Sequence, residues 1–160
     1  MDGKPGGISY YAAIGILNQN FEPVWMKSFG EARSYVGTGV AVSPVGELVL
    51  VGSGNGDVGG EPQGASDVFL GAYTIEGVRL WLTQYGTHNF DLAKAVAVTA
   101  EGTIIVVGSW NGDWKHIVYG LPGNILELGE SWFIAAHAPD GEMLWMRTFT
   151  ASDADSGEGP

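Results

Sequence analysis

The chain has 160 residues, enough for one sizeable core, and nothing in that length calls for two independent domains. Its 7 basic against 18 acidic residues give a formal net charge of -11, which opposes binding to a phosphate backbone and excludes nucleic acid as an expected partner. With 26 glycines and no cysteine the composition points to an all-β protein rich in tight turns, and it rules out a disulfide framework and thiol chemistry. No apolar run reaches the length a membrane helix needs, so no membrane span is expected, and the first residues lack the apolar core of a signal peptide.

In chain order, residues 1–7 read as a flexible polar lead. Ile8 to Ile16 is a strand, Asn18 to Asn20 a turn, and Val24 to Gly30 the returning strand. Two short apolar strands then flank a tight turn within Gly39 to Asp57. The same pattern returns 56 residues later within Ala95 to Asp113, with ten of nineteen positions identical. The first hairpin also recurs, as Asp67–Tyr73 with Leu80–Gly86 and as Trp132–His137 with Leu144–Phe149. Each copy carries a tryptophan followed four residues on by another aromatic: Trp25 and Phe29, Trp81 and Tyr85, Trp145 and Phe149. Alternation of this kind marks half-buried strands.

Repetition at this period, with four strands per unit, is the signature of propeller-type arrays. The expected architecture is all-β, made of four-stranded antiparallel blades. With strands A to D running from inside to outside, the order is C-D, A-B-C-D, A-B-C-D, about two and a half blades. One domain is expected over residues 8–150, with a half blade at 8–30, blades at 38–86 and 94–150, and an acidic tail at 151–160. The connection between strands B and C is about eight residues longer in the second full unit than in the first.

The residues Asp67, Phe69, Ala72, Gly77, Leu80, Trp81 and Gly86, followed by Ala95, Ala97, Val98, Gly102, Val106, Val107 and Gly108, carry a phrase that resembles the bacterial β-propeller repeat, the SBBP type. The similarity covers nearly all of residues 8–150. Tyr35 departs from it, standing where Asp91 stands in the next unit. The resemblance implies a part of a large exported or cell-surface protein in a scaffolding or adhesive role. A weaker similarity to quinoprotein dehydrogenase propellers lies in Ala138 to Trp145.

Two and a half blades are too few for a closed ring and leave two broad apolar faces. Other blades are therefore the expected partners, from a longer parent chain or by self-association, with a protein or carbohydrate ligand as a further possibility. Trp25, Trp81 and Trp145, with Phe69 and Phe133, are expected in the blade core because they repeat so regularly. The long connection from Trp114 to Glu130 is the place to seek a binding surface, and Trp110, Trp114, His116 and Tyr119 are its candidates.

Asp57 and Asp113, in Asn-Gly-Asp turns, are weak calcium candidates, since Asn-Gly is foremost a tight-turn dipeptide. His88, His116 and His137 show no metal-ligand spacing and read as surface or partly packed residues. No nucleophilic serine motif accompanies His88 and Asp91. No catalytic residue and no cofactor is expected, and the chain reads as a non-enzymatic structural or interaction module. The alternatives are part of a quinoprotein-like propeller enzyme, which would use Asp91, Lys94 and Arg33 at the starts of the A strands, and a calcium-dependent adhesion module.

Overall fold

A computed structural model of the chain describes residues 11–29, 34–111 and 130–149. These residues form ten strands and no helix, so no described helix is long and apolar enough to cross a membrane. Strands β1 (Ala12–Leu17) and β2 (Pro23–Phe29) make a two-stranded sheet. The second sheet runs β3 (Tyr35–Val42), β4 (Leu48–Gly54), β5 (Asp67–Tyr73) and β6 (Arg79–Tyr85) in order. The third repeats it with β7 (Phe90–Val98), β8 (Ile104–Asn111), β9 (Glu130–His137) and β10 (Met143–Phe149). Every pairing within a sheet is antiparallel between chain neighbours, the C-D, A-B-C-D, A-B-C-D order of propeller-like blades.

The sheets pack face to face, and the middle one is covered on both sides. One core joins the first two sheets through Ala12, Ile14, Tyr35, Leu48, Leu50, Phe69 and Tyr73. A larger one joins the second and third sheets through residues such as Val51, Leu70, Ala93, Val106, Phe133 and Met146. This double coverage explains why β4 and β5 are buried at every position and read as continuous apolar runs. The outer strand β10 shows burial at Met146 only.

The pairing contains a repeated irregularity. In the three outer hairpins the register skips the residue before the tryptophan: Val24, Leu80 and Leu144. The inner strands skip Thr38 and Lys94, which are also equivalent to one another. A bulge adds a residue on one strand and re-aims the side chains beyond it. Here it leaves Val24, Leu80 and Leu144 exposed, and it turns Trp25 and Trp81 toward the next sheet.

Candidate functional site

The tryptophans build the joints between units. Trp25 Nε1 donates to the Ile75 carbonyl at 2.8 Å, in the turn between β5 and β6. Trp81 Nε1 donates to the Pro139 carbonyl at 2.9 Å, in the turn between β9 and β10. Each indole also lies flat on the glycine two residues further along its turn. A Cβ on Gly77 would stand 2.8 Å from Trp25 Cδ2, and one on Gly141 would stand 2.7 Å from Trp81 Cε3. Both glycines have positive φ, 85° and 89°, so turn shape and ring contact both require glycine. Trp25 and Trp81 are partly buried against the two cores, whereas Trp145 is 42% exposed.

A second element of the joint is the entry of β7. Asp91 is buried and accepts hydrogen bonds from the Thr87 backbone N–H and from Thr87 Oγ1 at 3.1 Å. Asp67, also buried, accepts through Oδ2 from Gln63 N at 2.8 Å and Gln84 Nε2 at 2.9 Å, while its Oδ1 has no partner among the described residues. Asp67 Oδ1 and Asp91 Oδ2 both crowd Gly86, where a Cβ would clash with each. Burial raises the Asp91 carboxyl to about 6; the Thr87 hydrogen bonds oppose the rise and the Asp67 charge adds to it. The strand is locked on by Asp91 N to the Ser66 carbonyl at 2.7 Å and Ala93 N to Ser53 Oγ at 2.8 Å.

A third element is a cavity of about 380 Å³ between β6 and the β9–β10 hairpin, lined in part by Trp81, Tyr85, His137 and Met143. His137 is 1% exposed, which corrects its reading as a surface or partly packed residue. Its Nδ1 lies 3.2 Å from the Gly141 carbonyl, and burial lowers its pKa, so the neutral ring donates from Nδ1 and leaves Nε2 as an acceptor. Tyr85 lies against it with ring centroids 5.4 Å apart, and burial holds its phenol above the usual range. Among the described residues, His137 Nε2 and Tyr85 OH are both buried without a partner. The sequence signal for His137 was its place four residues after Phe133, two steps along the inward face of β9.

Of the residues proposed for ligand binding, Trp114, His116 and Tyr119 lie outside the described residues, as do Asp113 and Arg33. Trp110 is 3% exposed and stacks on Phe133 at 5.6 Å, so the structure places it in the core and not on a binding surface. It is buried because β8 continues through Asn111, pairing Trp110 with Ser131, where the sequence suggested a turn. Phe69 and Phe133 are fully buried. Asp57 is exposed, and its backbone carbonyl lies 3.4 Å from Tyr35 OH. Among the described residues no three His, Cys, Asp or Glu side chains converge as a metal site.

A groove of about 610 Å³ runs along the starts of the inner strands, lined by Ser34, Val36, Thr38, Phe90, Leu92 and Lys94 among others. Lys94 is its only titratable lining residue among the described residues. Asp91, at the same end, is engaged by Thr87. His88 Nδ1 lies 3.1 Å from the Gln63 carbonyl.

No family model matches the chain. Over 89% of its length it is 23% identical to an uncharacterised WD repeat-containing protein of Acanthamoeba polyphaga mimivirus, and it spans 12% of that protein. A crystal structure of a protein of unknown function from Bacteroides caccae matches 90% of this chain and 57% of its own, at 15% identity and a TM-score of 0.31.

Proposed function

We propose that the chain is a non-enzymatic interaction module, a run of β-propeller blades of the bacterial repeat type that serves within a larger propeller. The observation that carries this reading is the joint. The same indole-to-carbonyl contact on the same turn glycine links unit to unit twice, so the repeat is built to be extended. The WD-repeat relative supports it, since the matched region is a small part of a much longer chain. A binding rather than catalytic role is supported by the groove along the inner strands, whose described lining offers Lys94 but no acid, base or nucleophile constellation beside it.

The test is native mass by light scattering over a concentration series. A monomer is the expected result. A discrete closed oligomer would replace the larger-propeller reading with assembly of a ring from several copies.

A further inference from the structure

The third tryptophan has everything the first two have except an acceptor. Trp145 pairs with Ala136 across its hairpin as Trp81 pairs with Ala72, and it follows the equivalent bulge. Among the described residues nothing accepts its indole N–H. Around it, Val107, Trp132 and Ile134 take the places that Val51, Val68 and Leu70 hold in the preceding sheet, where those residues form the buried core of a joint.

A turn that receives such a tryptophan must offer a carbonyl at its second position and glycine at its fourth, as Thr74–Val78 and Ala138–Glu142 do. The first hairpin has the same turn. Asn18 N bonds the Glu22 carbonyl at 2.9 Å and Phe21 N bonds the Asn18 carbonyl at 3.0 Å. The matching bonds in the glycine turns span 2.8 to 2.9 Å. Its fourth position, however, is Phe21, with φ 63° and 83% exposure. An indole arriving there as Trp25 arrives on Gly77 would meet a Cβ at less than 3 Å.

We propose that the Trp145 face docks a further repeat unit whose outer turn carries glycine at the fourth position, and that Phe21 bars the first hairpin of a second copy of this chain from taking that role. The inference deepens the function proposed above and rests on it. It makes the module directional: one end open to a unit of stated turn chemistry, the other closed to its own kind.

The test uses the full chain and three substitutions. F21G should create head-to-tail association, lowering the concentration of half-association at least about tenfold, on the order of the effect of one well-formed contact. F21A keeps the Cβ and should stay as the wild type does, which separates steric exclusion from loss of the aromatic ring. W145A added to F21G should return the mass to the wild-type value. Thermal melting checks the fold, and F21G should melt no lower than the wild type, because glycine suits φ 63°. F21G without stronger association, or F21A associating equally, overturns the proposal. So does a wild-type oligomer that W145A dissolves. A wild-type oligomer that W145A leaves intact instead overturns the larger-propeller reading, and Phe21 is then still judged by F21G against F21A.

Discussion

Replacing Gly141 with alanine tests the joint most directly, because a control for its backbone exists in the same molecule. Gly141 and Gly46 occupy equivalent tight turns with φ of 89° and 85°, but a Cβ on Gly46 would meet nothing within 4 Å, whereas one on Gly141 would stand 2.7 Å from the Trp81 ring. Gly46→Ala should therefore lose only the cost of a left-handed alanine, about 1–2 kcal/mol. Gly141→Ala should lose that and about 1–3 kcal/mol more for overpacking, together with part of the Trp81 to Pro139 hydrogen bond, about 1 kcal/mol. Urea unfolding at constant m-value measures both. In a Trp81→Ala background the ring is gone, and Gly141→Ala should fall back to the Gly46→Ala value. The coupling energy of that cycle should be about 1–3 kcal/mol. Equal losses at Gly46 and Gly141, or a Gly141 loss unchanged without the indole, would refute the joint as described.

Asp91 gives a pH prediction. Its carboxyl is raised to about 6 from 3.8, so between those values the folded chain holds a proton that the unfolded chain has released. The stabilisation is fully present below about pH 4 and is lost as pH rises through 6, amounting to about 3 kcal/mol for a shift of about two units. Asp91→Asn should flatten this part of the urea-midpoint profile and be neutral or stabilising at pH 7, since its amide can donate toward the unpartnered Asp67 Oδ1. A wild-type midpoint that rises relative to the variant between pH 4 and 6 would contradict this. Tyr85→Phe removes a buried hydroxyl without a partner among the described residues, so it should leave stability unchanged or raise it by up to about 1 kcal/mol. A loss above about 1 kcal/mol in the same assay would contradict this.

The repeat made the architecture legible. Ten identities in nineteen residues and three tryptophan hairpins give strand order and unit number, and the β-turn glycines fall where Gly46, Gly77, Gly102 and Gly141 have positive φ. The joints were less legible, for two physical reasons. Alternation has no marker for a skipped residue, so Leu80 and Leu144 read as ordinary strand positions although each is a bulge that sets where its tryptophan points. The partners are also far apart in sequence: Trp81 and Pro139 are 58 residues apart, and no local pattern joins them. His137 and Trp110 were misplaced by chemistry. A histidine reads as polar and Trp-Asn-Gly as a turn, yet both lie on strands whose pairing carries them into the core.

The two ends of the array show why apolar area alone does not decide assembly. Tyr11, Val24 and Met26 are each more than half exposed at one end, as Trp132 is half exposed at the other, so both ends offer surface to bury. If burial set the partner, each end would receive any such sheet, including that of another copy. The joint adds a directional hydrogen bond and a site that tolerates no Cβ, and these two demands are met at Gly77 and Gly141 and refused at Phe21. Affinity then comes from the apolar sheet face, whereas the choice of neighbour rests on one side chain in a turn, where a single substitution can change it without touching the core.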